Sequence, residues 1–364
     1  VIPSAATGGT FTASNYDITY VPGDLTVSDM PFVTVTGTLV PVPTVYGTAS
    51  PTPTSFTVSG SALNSNLVIN APPGFEVSTS IGSGYDSSIQ IAPMSGSVAS
   101  TLVYLRLAAT TPVGSYFGPV TVGSLGADPK TIATAPSDVT AKALTITGLT
   151  ADNKVYDGDN EATLSGTLTL VGVETPDVGN VAVSGTPIAT FAAVVVADNV
   201  AVTVTGLGLT GSAAGNYTLT QPTGLMANIT PATLTILGAA VTTKPYDATT
   251  EAVITGTLSG VIGMDDVSLN GTGTFADPNV GTGIAVTSTS TLLGAAAGNY
   301  SLTQPTGLTG TIIKASQTIT FAALPVRTTA EVGATFALTA VASSGLTVSY
   351  ASSNLSVASV AGDI

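Results

Sequence analysis

The chain is 364 residues long, enough for two to four domains. Charged residues make up 8% of it, against about 25% in an ordinary soluble domain, and seven basic residues against 21 acidic ones leave a net charge of −14. With no Cys and no His, the usual zinc sites and Ser–His or Cys–His catalysis are excluded. The few cations are scattered from Arg106 to Arg327, so nucleic acid and membrane insertion are not expected as partners.

The rest is mostly Thr, Ser, Val and Ala, punctuated by 40 Gly and 22 Pro spread along the chain. This composition favours strands and turns. Mean hydropathy is +0.49, but the longest strongly apolar run, Phe191–Ala197, falls far short of the roughly 20 residues of a spanning helix.

Residues 1–29 include Ser14–Val27, SNYDITYVPGDLTV, which reads as only the last two strands of a module. Val1 opens within a running strand pattern with no basic leader, which is expected of a processed form or a segment of something longer. Residues 30–142 read as a separate sandwich. Its strands are expected at Phe32–Leu39, Ser55–Ser59, Leu67–Asn70, Phe75–Ser78, Ser88–Ala92, Ser97–Leu107 and Gly118–Val122. The Pro-rich stretch Val40–Pro53 is expected to be extended, near an edge or a linker.

An internal repeat follows. LTITGLTADNKVYDGDNEAT at 144–163 returns as LTILGAAVTTKPYDATTEAV at 234–253, and AGNYTLTQPTGL at 214–225 returns as AGNYSLTQPTGL at 297–308. The shift is 90 residues at the head and 83 at the tail, which places about seven extra residues of the first copy around Val173–Gly179. The units are 143–231 and 232–314, joined by almost no free chain. Residues 315–364 begin a further module and stop after about four strands. Either the two ends are cropped from a longer chain or each completes a neighbour by strand addition.

Many short period-two strands and no long 3.6-period segment predict an all-β chain of tandem immunoglobulin-like β-sandwich domains in an elongated array. Lys154-Val-Tyr-Asp-Gly158 and Lys244-Pro-Tyr-Asp-Ala248, each with a downstream Gly-Asn-Tyr, resemble the YDG repeat domain of bacterial surface proteins. Residues 1–29 resemble the tail of an MBG-type module, and 315–364 resemble the start of a bacterial Ig-like domain. The resemblance implies a secreted, cell-surface setting in adhesin-like fibres, and it implies no enzyme activity. Partners would be neighbouring domains or copies of the same protein, with surface glycans or host proteins as further candidates.

Two motif sets stand out. Tyr156, Asp157 and Gly158, with Tyr246 and Asp247 in the second copy, read as a strand-to-strand turn with the Tyr packed inward; Ala248 in place of Gly predicts a different turn type there. The same stretch offers Asp152, Asp157, Asp159 and Glu161 as calcium ligands, the one cofactor the chain suggests. Asp159 becomes Thr249 in the second copy, which favours the turn. Asn216-Tyr217 and Asn299-Tyr300, with Asn15-Tyr16 as a third copy, read as a corner in which Asn takes a turn and Tyr anchors the next strand. No pair among Glu76, Glu161, Glu174, Glu251 and Glu331 stands outside the repeated pattern as a catalytic pair would. The expected function is a non-catalytic stalk segment. The rival readings are a self-assembling filament subunit and a ligand- or carbohydrate-binding module in 30–142, whose loops carry Tyr85, Tyr116 and Phe117.

Overall fold

The computed structural model describes residues 12–19, 21, 23, 29–324, 333 and 335–361. Every regular element among them is a β-strand or a three-residue 3-10 turn, so the chain is all-β. No described helix is long and apolar enough to cross a membrane. Of the two-strand tail expected at 14–27, residues 14–19, 21 and 23 are described: Ala13–Asn15 is a 3-10 turn and none of the described residues there is in a strand, while the rest lie outside the described residues. In the last segment, Ile319–Phe321 pairs antiparallel with Ala340–Ala342.

By internal contacts the chain divides into two compact units: residues 1–151 with 162–190 and 202–225, and residues 152–161 with 191–201 and 226–364. In the first unit, Phe32–Thr36, Thr54–Ser61, Val98–Leu107 and Phe75–Ser78 form one four-stranded sheet in that order. Lys130–Ala133, Pro119–Gly123, Leu67–Asn70 and Ser88–Ile91 form another. Alternate Val, Ile, Leu and Phe side chains point inward from both. Val33, Phe56, Val58, Leu67, Ile69, Val103, Leu105, Val120 and Val122 share one core, none more than 2% exposed. Each such side chain contributes about 1.5–3 kcal/mol by leaving water.

The Pro-rich stretch is not merely extended. Thr44–Val45 within it forms a short strand parallel to Ser137–Thr140, whose other neighbour is Gly114–Tyr116. Also in this unit, Lys142–Ala151 lies between Leu164–Val171, antiparallel, and Tyr217–Thr220, parallel.

In the second unit, seven strands of the second repeat run as one continuous sheet, from Lys244–Pro245 at one edge to Tyr300–Leu302 at the other. Glu251–Ser259 joins its two halves because it changes partner midway. Glu251–Val253 pairs with Thr272–Thr274, and Ile254–Ser259 pairs with Thr235–Val241 across a bulge. Ala252, Ile254, Phe275, Val286 and Ile312 form its core.

The extra length of the first repeat is not an insertion at Val173–Gly179. Glu174 and Asp177 there have counterparts in Ile262 and Asp265, with the same backbone bond from the Asp N–H to the carbonyl three residues back. The difference is distributed over several turns.

Candidate functional site

The short strand Thr44–Val45 ends at Tyr46, whose N–H donates to the Thr140 carbonyl at 2.9 Å. Lys154–Val155 repeats the arrangement beside Ile229–Thr230, and the Tyr156 N–H donates to the Thr230 carbonyl at 2.8 Å. Lys244–Pro245 repeats it again, with the Tyr246 N–H donating to the Ile313 carbonyl at 2.9 Å. Each Tyr is thereby fixed beside the last residue of a strand, Thr140, Thr230 or Ile313.

Directly after Thr140 and the single residue Ala141, the next strand starts at Lys142, opposite Tyr217 in a parallel pair. After Thr230 and the single residue Pro231, the next starts at Ala232, opposite Tyr300. Register alone therefore delivers one Tyr from each side to the junction, and the side chains meet. Tyr46 and Tyr217 stand edge to face with ring centroids 5.4 Å apart at 84°; Tyr156 and Tyr300 do so at 5.5 Å and 82°.

A single carboxylate oxygen closes each pair. The Tyr46 and Tyr217 hydroxyls both donate to Asp177 Oδ2, at 2.7 and 2.7 Å. Those of Tyr156 and Tyr300 both donate to Asp265 Oδ2, at 2.9 and 2.5 Å. The Glu174 N–H donates to the Tyr217 hydroxyl at 3.0 Å, and the Ile262 N–H donates to that of Tyr300 at 3.0 Å. All four phenols are buried. No buried side-chain polar atom among the described residues lacks a partner, as such low-dielectric networks require.

Burial, and then the adjacent Asp177 carboxylate, push the Tyr217 hydroxyl up to about 12 and raise that of Tyr46. Burial and Asp265 likewise raise Tyr156 and Tyr300. The neutral phenol is thus the form each site holds.

The Asn of each Gly-Asn-Tyr adds a latch. Asn216 Oδ1 accepts the Val113 N–H at 3.1 Å, and Asn299 Oδ1 accepts the Val196 N–H at 3.0 Å. Asn216 and Asn299 each end a 3-10 turn, Ala214–Asn216 and Ala297–Asn299; Ala13–Asn15 before Tyr16 has the same form.

These contacts correct the expectation that Tyr156 packs into its own repeat. It is 6% exposed, but against Asp265 and Tyr300 of the following one. They also extend the corner reading: Tyr217 and Tyr300 anchor a loop of their own repeat and hold the preceding module as well. Asp177, Asp265, Tyr46, Val113 and Val196 were missed from sequence. Tyr46 had a signal in Val45-Tyr46-Gly47, which echoes Val155-Tyr156-Asp157-Gly158; the two Asp residues had none.

The acidic turn is built around an ammonium. Lys154 Nζ lies 2.7 Å from Asp157 Oδ1 and 2.6 Å from Asp159 Oδ1, and donates to the carbonyls of Asp159 and Glu161. In the second copy Lys244 Nζ lies 2.7 Å from Asp247 Oδ1 and donates to Thr249 Oγ1 at 2.7 Å and to the carbonyls of Thr249 and Glu251. Thr249 therefore takes over the hydrogen-bonding part of Asp159. Burial works to lower the Lys154 ammonium, but the bonds to Asp157 and Asp159 outweigh it and leave it raised. The Lys154 bond lowers Asp159, and the Lys244 bond with the Thr249 N–H lowers Asp247 to about 2.

Asp152, Asp157, Asp159 and Glu161 are not assembled as a ligand set. Asp157 and Asp159 turn to Lys154, Glu161 offers its backbone carbonyl, and no three acidic side chains among the described residues converge for a metal ion. Ala248 keeps the left-handed backbone of that position: it lies at φ +63°, as Gly158 does at +86°.

In the 30–142 module, the Arg106 guanidinium lies 3.8 Å from the Tyr85 ring centroid, Tyr116 is half-buried, and Phe117 is 71% exposed. A shallow depression of about 420 Å³, lined by Asn66, Asn70, Thr121 and Leu125 among others, contains no titratable side chain.

Residues 140–224 and 230–307 each match the family model of the YDG domain, so the chain carries two YDG-type domains. No curated protein matches the chain. The halves of the two clusters that carry Asp, Tyr and Asn fall inside the matched segments. Tyr46 falls outside them.

Proposed function

We propose that the chain is a non-catalytic structural segment of a long extracellular bacterial fibre or adhesin stalk, built of tandem Ig-like β-sandwich modules at 30–142, 143–231 and 232–314 and serving reach and stiffness at the cell surface. One observation carries the reading: the Tyr–Asp–Tyr cluster is formed twice with the same partners and geometry, each time across a linker of one residue. A buried, fully paired contact at each of these two junctions restrains the hinge that a free linker would leave, and modules that hold only their neighbours add length by repetition. At about 30–40 Å per module the segment reaches on the order of 100 Å. Scarce cations and a hydroxyl-rich surface suit a spacer that does not stick, and the net charge of −14 keeps copies apart.

Small-angle scattering on the full chain and on a double variant, Asp177→Ala with Asp265→Ala, tests this. The parent is expected to scatter as an extended, stiff particle, and the variant as one with articulated joints. A parent that scatters as a compact globule, or as freely jointed as the variant, sinks the reading.

A further inference from the structure

Three tyrosines are presented by the same backbone device, and two of them are occupied. Tyr46 and Tyr156 are 7% and 6% exposed, each beneath an Asp–Tyr pair, whereas Tyr246 is 41% exposed. Its presentation is complete: the parallel pairing of Lys244–Pro245 with Ile312–Ile313, the bond from its N–H to Ile313, and the Lys244 loop that holds Asp247 are all in place. The geometry points to the face around Tyr246 as a docking surface for the receiving end of the module that follows, one that offers an Asp, a Tyr and an Asn as Asp177, Tyr217 and Asn216 do. This rests on the stalk reading and deepens it by naming the partner.

The two occupied junctions define what that partner must supply. Its Asp closes a turn onto the carbonyl three residues back, as Asp177 does on Glu174 and Asp265 on Ile262. Its Tyr lies opposite the first residue of the incoming strand, and that strand starts two residues after the carbonyl that takes the Tyr N–H. By the same count the incoming strand would start at Ala315, where the described chain forms no strand until Ile319. The donor need not belong to the family, since Tyr46 lies outside the matched segments; the Asp–Tyr–Asn end is what does the selecting.

A second contact narrows the partner. A Cβ on Gly158 would come within 3.2 Å of Ile262 Cγ2. The corresponding residue in the second repeat, Ala248, already carries that Cβ at a positive φ. The module that docks on Tyr246 therefore has a smaller or more yielding side chain than Ile262 at that place.

The test is an extended full chain in which a second copy of 142–231 is inserted directly after Lys314, so that Tyr246 stays unique. Nitration of tyrosines, located by peptide mass spectrometry, reports burial one residue at a time. In the extended chain Tyr246 is expected to nitrate several-fold more slowly than in the parent. Glu174→Ala in the inserted copy, which clears room beside the Ala248 methyl, should protect it further, and Asp177→Ala there should restore fast nitration. If Tyr246 nitrates as fast in the extended chain as in the parent, with and without Glu174→Ala, the proposal is overturned. Scattering on the parent chain, which decides the stalk reading, is independent of that result.

Discussion

Tyr46 and Tyr217 are 171 positions apart, yet they meet edge to face with centroids 5.4 Å apart and share one oxygen of Asp177. Removing that oxygen leaves two buried phenols without an acceptor, at about 1–3 kcal/mol each. Asp177→Ala is expected to lower stability by about 2–4 kcal/mol in urea denaturation, and Asp265→Ala by a similar amount. Tyr46→Phe should cost less, since the ring contact survives. A double-mutant cycle between Tyr46 and Tyr217 should show about 0.5–1.5 kcal/mol of coupling. Additive effects would mean that the rings touch without holding the junction.

The same clusters set an alkaline limit. The folded Tyr217 hydroxyl titrates at about 12, above the ordinary 10.0. Below pH 10 both folded and unfolded chains hold the proton, and the contribution is fully present. As pH rises from about 10 towards 12, the unfolded chain ionises first and stability falls. Tyr46, Tyr156 and Tyr300 are raised in the same direction, so their losses add. Phenolate absorbance should show a late-ionising group of tyrosines that joins the early group after Asp177→Ala and Asp265→Ala. A single early transition in the parent chain would refute the geometry.

The all-β class was legible because it is written locally. Period-two alternation and turn residues place Leu67–Asn70 and Phe75–Ser78 at the bounds observed. The motif residues were legible too, because the repeat prints them twice. Their meaning was not. Tyr156 reads as a core residue of its own repeat because sequence periodicity cannot say which module covers a side chain. Asp177 looks like any turn carboxylate, and its fitness for two phenols depends on a register set by strands far along the chain. Lys154 and Lys244 recur at the same place before each Tyr-Asp, a pairing that could have shown the acidic turn to be already neutralised.

That neutralisation has its own test. Lys154→Met strips the turn of its cation and leaves Asp157 and Asp159 facing each other; a melting temperature about 2–6 °C lower is expected. Asp159→Thr should be close to silent, because Thr249 does the same work in the second repeat. The folded Asp247 carboxyl titrates at about 2, below the ordinary 3.8. Its contribution is present above about pH 4 and is lost as pH falls from there towards 2; Lys244→Met should flatten that acid slope. Calcium or a chelator should leave the melting of the parent chain unchanged, and a calcium-dependent rise would restore the acidic turn as an ion site.

Gly158 and Ala248 occupy one turn position in two contexts, which separates backbone strain from contact. Both lie at positive φ, where an L side chain costs about 1–2 kcal/mol. Both are exposed, but Gly158 also faces Ile262, with room for a Cβ only at 3.2 Å from Cγ2. Gly158→Ala should therefore cost at least the strain, about 1–2 kcal/mol, and should also speed nitration of Tyr156 by loosening the junction. Ala248→Gly relieves the strain but gives the unfolded chain more freedom, so a gain of no more than about 1 kcal/mol is expected, with no change at Tyr156. If Gly158→Ala leaves Tyr156 as protected as before, the junction tolerates the added methyl, and Ala248 would not restrict what docks beside Tyr246.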